Sequence, residues 1–313
     1  MHSADCQTHL SEWWSSSWSP PALLNPWQWA EAELEFSARS TPFPGRFRSS
    51  ITPYVRGPLE AFADPTVRRI TLCWSAQSAK TTALLVALAY TISQDPGPAL
   101  VVQSSESAAK SFSKNRLQPL IQDCEALSRH MSGKKHDFGL LEMLLNRMTI
   151  YLQGAGSPAQ LAMRPVRYLF ADEIDKWIDD SDKEADALSL ALERTKSYRN
   201  CKQVLASTPT LESGPIWQSY LAGSMEQFHL PCPSCGSRFT LEWSQLKWPK
   251  DVSKARIKAE TYLECPHCKA ELTEKDRATM LQAGEWIPGN PEATGEHRSF
   301  HLNELYSPLT KWG

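Results

Sequence analysis

The sequence predicts an α/β fold in which a mostly parallel sheet is flanked by helices and joined by a small cysteine-bearing β insert. Three observations predict it. Short apolar segments alternate with helical patterns between about residues 66 and 208. Two C-x-x-C pairs follow that region, and no apolar run approaches the roughly 20 residues needed to span a bilayer.

The elements follow in chain order. Residues 1–50 form an arm rich in Trp, Pro and Ser, holding five of the 12 tryptophans (Trp13, Trp14, Trp18, Trp27 and Trp29). The arm is expected to pack onto a neighbour or a partner, with one amphipathic helix over 26–38. Strands are predicted over 70–74, 99–103, 148–153, 166–171 and 204–206, and helices over 80–92, 106–128 and 183–198. Such alternation places ligand sites at the carboxyl ends of the strands. From about residue 228 the pattern changes to cysteine pairs separated by Trp, Pro and Lys.

Composition sets outer limits. With 41% hydrophobic and 22% charged residues the chain reads as a globular protein. A net charge of -2 provides no global basic field. A local strip, Arg194, Lys196, Arg199 and Lys202, either grips phosphates or is a solvated mixed-charge face. The first residues carry no basic segment leading into an apolar core, so a cytoplasmic protein without membrane contact is expected.

Three motifs point to one chemistry. Between a predicted strand and helix lies Trp74 followed by Ser75, Ala76, Gln77, Ser78, Ala79, Lys80, Thr81 and Thr82. A loop in this position presents backbone N–H groups to phosphate oxygens, with a lysine reaching the β/γ-phosphates and a hydroxyl on Mg²⁺. Trp74 and Ala79 stand where the usual pattern has glycine, so alone the loop fits an ordinary helix start with a solvated Lys80 equally well. A second motif is an apolar strand ending in Asp172 and Glu173, as a Walker B element requires: one carboxylate for the Mg²⁺ shell, the next to polarise the attacking water. A third strand end carries Ser207 and Thr208, suited to sensing the γ-phosphate. In this order the three predict a P-loop NTPase.

The remaining motif joins Cys232 and Cys235 to Cys265 and Cys268. Four thiolates satisfy tetrahedral Zn²⁺ with no open position, so a structural site in a zinc-ribbon-like insert is expected. His267 is read as facing solvent. Cys6, Cys73, Cys124 and Cys201 show no pattern.

These motifs, with Pro53 and Tyr54, Ala61 to Pro65, Gly284 to Trp286, Phe300 to Asn303 and Leu305 to Pro308 in the same order, resemble the GpA-type large terminase subunit of tailed phages over nearly the whole chain. The resemblance implies an ATP-hydrolysing, Mg²⁺-dependent motor that drives double-stranded DNA into a preformed capsid. It further implies a small terminase subunit and the portal as partners, and a homo-oligomer during packaging. By motif match Lys80 and Thr81 bind phosphate and Mg²⁺, Asp172 holds the Mg²⁺ shell, Glu173 is the general base, and Ser207 and Thr208 couple hydrolysis to motion. Tyr54 is a candidate to stack on adenine, and Arg194 a candidate for transition-state charge. On this reading 51–227 is the ATPase domain, 228–285 the zinc-ribbon-like segment, and 286–313 the start of a linker toward an absent nuclease domain. A different reading, a non-catalytic remnant or assembly module that binds DNA or partners through the ribbon and the arm, is favoured by Ala79.

Overall fold

The computed structural model describes residues 24–312 except 42, 158–160, 162, 178–185 and 251. Trp13, Trp14, Trp18 and the rest of the first 23 residues therefore lie outside the described residues, as does the start of the helix predicted over 183–198.

The described chain opens with α1 (Pro26–Glu33), where Asn25 and Gln28 form a reciprocal capping box and Pro26 occupies the first turn. The helix expected to reach residue 38 stops at Leu34, because the chain turns extended to pair β1 (Glu35–Phe36) with β2 (Gly45–Arg46). Helix α2 (Arg56–Ala63) then leads into β3 (Arg69–Trp74). Next come α3 (Lys80–Ser93) and β4 (Ala99–Gln103). Nine of the 14 residues of α3 are buried, so it is apolar nearly all round and sits between the sheet and the layer formed by α1 and α2.

The helix predicted over 106–128 is three pieces: α4 (Glu106–Phe112), α5 (Gln118–Asp123) and α6 (Glu125–Ser128). A π-turn over Ser113–Leu117 precedes Pro119, which has no N–H to donate and whose ring crowds the preceding turn. The chain is extended at Cys124, which separates the last two pieces.

Strands β5 (Glu142–Leu144), β6 (Thr149–Gly154), β7 (Tyr168–Asp172) and β8 (Lys202–Ser207) follow, with α7 (Ala187–Glu193) between the last two. After α8 (Pro215–Leu221) come β9 (Glu226–Pro231), β10 (Arg238–Phe239), β11 (Leu246–Lys247), α9 (Lys254–Glu260), β12 (Tyr262–Glu264), β13 (Glu271–Leu272), α10 (Glu274–Gln282), β14 (Glu285–Pro288) and β15 (His297–Leu302).

The main sheet runs β10-β9-β15-β3-β8-β7-β4-β6-β5. The seven strands from β9 to β6 are parallel, while β5, β10 and β14 add antiparallel edges. The mixed α/β architecture with a mostly parallel sheet is the one the sequence predicts. Phe62 stacks at 6.1 Å on both Tyr168 and Phe170, tying α2 to the strand that carries the Asp-Glu pair.

Two parts of the expected layout differ. The sequence places the start of a linker over 286–313, yet β15 lies inside the sheet, parallel to β3 over all six residues from Arg69 to Trp74. Its short, mixed sequence hides this, because a strand covered on both faces needs few residues once its neighbours are fixed. The boundary drawn at 227/228 also falls inside β9, so the cysteine-bearing segment grows directly out of the sheet.

Candidate nucleotide-binding site

The candidate phosphate loop leaves the carboxyl end of β3 and re-enters a helix at Lys80. Gln77 and Ala79 are both left-handed, with φ of 55° and 63°. Such conformations cost non-glycine residues about 1–3 kcal/mol each and persist only where the surroundings hold them. Ala79 thus adopts the conformation for which glycine is usually selected. Ser78 Oγ donates to the Ser75 carbonyl at 2.6 Å and closes the loop on itself.

Lys80 turns back over this loop. Its ammonium donates to the carbonyl oxygens of Trp74 (2.9 Å) and Ser75 (2.6 Å) and to Thr208 Oγ1 (3.0 Å). Burial draws its pKa down to about 8, against the pull of the Asp172 and Glu173 carboxylates. Asp172 ends β7 and is only 5% exposed. Burial, and then the charge of Glu173, push its carboxyl up to about 6, while Lys80, the Glu173 N–H and the Gln103 side chain pull it down. Glu173 is itself left-handed (φ 54°), which swings its carboxylate out of the strand line toward Lys176, 2.7 Å away.

Strand β8 lies between β3 and β7, with Ser207 level with Cys73 and Ala206 level with Asp172. This order places Ser207 and Thr208 between the phosphate loop and the acidic pair. The Asp175 N–H donates to Ser207 Oγ at 3.2 Å, and Asp175 Oδ2 accepts from the Thr210 N–H and hydroxyl at 2.9 and 3.0 Å. The other carboxylate oxygen of Asp175 caps α8 through the Ile216 N–H. Nothing near Asp175 in the chain signals this role, because the partners of its carboxylate are 35 and 41 residues downstream.

A cleft of about 600 Å³ opens here, and Thr81, Gln103, Asp172 and Glu173 line it together with Arg39 and Arg116. Arg39 is paired with Asp123, and Arg116 donates to the Ser40 carbonyl, so the described end of the N-terminal arm forms one wall. Neither arginine was singled out from sequence.

Two other assignments change. Tyr54 is fully buried, edge-on to Trp74 (5.4 Å) and Phe228 (6.1 Å), and has no ring face to offer a base. Arg194 sits beyond the amino end of β7, where its carbonyl accepts from the Val166 N–H, so the strand separates it from this chain's own candidate phosphate loop. Of the proposed basic strip, Lys202 is buried and its ammonium bonds the carbonyls of Asp64 and Val67.

The four cysteines converge apart from this cleft. Cys232 Sγ lies 3.8 Å from Cys268 Sγ and Cys235 Sγ lies 4.0 Å from Cys265 Sγ. A zinc tetrahedron with bonds of about 2.3 Å has edges of about 3.8 Å, so the donor set fits this ion. Each pair is a tight knuckle: the Gly236 N–H returns to the Cys232 carbonyl, and the Lys269 N–H to that of Cys265. Both closing residues are left-handed, with φ of 75° at Gly236 and 64° at Lys269. His267 is exposed and outside this cluster.

The sequence profile of the family described as "Phage terminase large subunit gpA, ATPase domain" matches residues 41–286. The chain belongs to this family. Among curated proteins, this member of the GpA ATPase family is 25% identical to the "Terminase, large subunit" of Enterobacteria phage P21, over 93% of this chain and 49% of that protein. It is 24% identical to the protein of the same name from Escherichia phage lambda, over 91% of this chain and 48% of that one. The GpA-family chain therefore spans about half the length of the curated relatives it matches. Two solved structures also align with it: the Thermus phage P74-26 large terminase ATPase domain (14% identity, TM-score 0.42, 76% of each chain) and the HK97 large terminase (10% identity, TM-score 0.47, 63% of this chain and 40% of that one). Among the described residues no helix is long and apolar enough to cross a membrane.

Proposed function

We propose that this chain is the ATP-hydrolysing motor portion of a DNA-packaging terminase, acting on double-stranded DNA together with a small terminase subunit, a portal and further copies of itself. The observation that carries this reading is the meeting of Lys80, Thr81, Asp172, Glu173 and Thr208 at the carboxyl ends of β3, β7 and β8. Backbone N–H groups of residues 75–81 would cradle the phosphates, with Thr82 following at the start of the helix. Thr81 and Asp172 would hold Mg²⁺, which supplies charge neutralisation at the β- and γ-oxygens. Glu173, beside them, would exchange Lys176 for the attacking water, orienting and deprotonating it. Lys80 would exchange its loop carbonyls for phosphate oxygens, and Ser207 and Thr208 would register the change. Residues 51–227 with β15 would form the motor, and 228–285 a zinc-bearing ribbon.

Steady-state hydrolysis with and without double-stranded DNA, beside Lys80→Ala and Glu173→Gln, tests the reading. Mg²⁺-dependent turnover that rises with DNA and disappears in both variants is expected. Ala79 favours a non-catalytic assembly role instead, and wild-type turnover equal to that of the two variants would overturn the motor reading in its favour.

A further inference from the structure

We propose that Ser307 is a positioning residue for the phosphate loop, holding from outside the left-handed bend at Gln77. The inference rests on the reading that residues 75–81 bind nucleotide.

The loop carries two left-handed residues that are not glycine, and Gln77 is the one at its apex. Ser307 is fully buried, and its Oγ donates to the Gln77 carbonyl at 2.6 Å while accepting from the Leu309 N–H at 3.2 Å. Both hydroxyl functions are thus committed, which fixes the direction of the bond to the loop. A second bond comes from the same strand end, where the Leu302 carbonyl accepts from the Ser75 N–H at 2.9 Å. Residues 302–307 therefore grip the loop at both its start and its apex.

The grip is anchored. Tyr306 Oη donates to the Phe228 carbonyl (2.7 Å) and accepts from the Leu241 N–H (2.8 Å), and Asn303 Nδ2 donates to the Leu241 carbonyl (2.6 Å). Arg277 adds bonds to the carbonyls of Leu305 and Thr310. Ser307 cannot follow the loop if the loop relaxes.

The φ of Gln77 sets the direction of the N–H groups that follow it, those of Ser78 and Ala79. Without the bond to Ser307, Gln77 falls back toward negative φ and those groups turn out of the phosphate cradle. Nucleotide would then bind only the fraction of molecules in which the bend survives, and apparent affinity falls by that fraction. Chemistry in the bound state is untouched.

The test is hydrolysis kinetics and fluorescent-nucleotide titration on the whole chain with zinc bound, for wild type, Ser307→Ala and Ser307→Thr, with melting midpoint and zinc content measured alongside. The expected result is a KM raised about five- to tenfold in Ser307→Ala with kcat within about twofold, and near wild-type values in Ser307→Thr, which keeps the hydroxyl. An unchanged KM in Ser307→Ala overturns the proposal, as does an equal loss in Ser307→Thr. An alanine variant that melts early or loses zinc places the hydroxyl in the fold at large and overturns it too. If wild type itself binds no nucleotide, the nucleotide reading fails first, an outcome distinct from wild-type binding with an indifferent Ser307.

Discussion

Lys80 Nζ and Thr208 Oγ1 are 3.0 Å apart, joining the loop after β3 to the end of β8 across 128 residues of chain. The same loop after β8 is held to the acidic turn by Asp175, through Thr210 and Ser207. Thr208 thus contacts Lys80, while its neighbours Ser207 and Thr210 bond the turn that follows Asp172.

Thr208→Val tests that connection, since it removes the hydroxyl at nearly constant volume. We expect kcat to fall about tenfold with nucleotide binding little changed, the cost of one positioning hydrogen bond. Wild-type kcat in Thr208→Val would show that the contact is incidental.

The pH profile follows from the two buried charges. In the proposed roles Asp172 holds Mg²⁺ only when ionised and Lys80 holds phosphate only when protonated, so kcat/KM is expected to rise with pH through about 6 and to fall through about 8. Lys80→Arg, if active, should lose the alkaline limb, because guanidinium does not deprotonate in this range. A flat profile across both values contradicts the assignment.

Ala79→Gly should relieve the strained left-handed φ of 63° and raise stability by about 0.5–1 kcal/mol. The melting midpoint and KM for ATP should both improve slightly. Ala79→Val, β-branched in the same conformation, should lose nucleotide binding.

Zinc removal gives an independent readout. One zinc per chain is expected on thiol modification, and chelation should lower the melting midpoint by about 2–4 °C for each kcal/mol lost. Because Cys232 follows directly on β9, the loss should extend into the sheet rather than stay within the ribbon. Cys265→Ser should behave like the chelated protein.

Trp286 shows how tertiary packing set details of the site. It stacks on Trp74 at 6.3 Å with an interplanar angle of 7° and donates from Nε1 to the Tyr54 carbonyl. A Cβ on Gly57 would come within 2.3 Å of its ring, so the glycine is what lets this tryptophan pass beneath the loop. Trp74, an apparent misfit in a glycine position, is thus an anchor for the base of the loop.

The sequence alone determined the alternating α/β pattern, the strand that carries Asp172, the helix that begins at Lys80 and the four cysteines with knuckle spacing. Each depends on neighbours within a few residues, where hydrophobic period and covalent spacing act directly. Tertiary structure decided the rest. The six residues of β15 became a strand only by lying between β3 and β9. Tyr54 was taken out of reach of any base by the aromatic cluster around it. Ser307 was brought to Gln77 from 230 residues away. Hydrogen bonds and burial between distant segments leave no periodic trace in a chain, because any residue of suitable size and polarity meets the local requirement at either end.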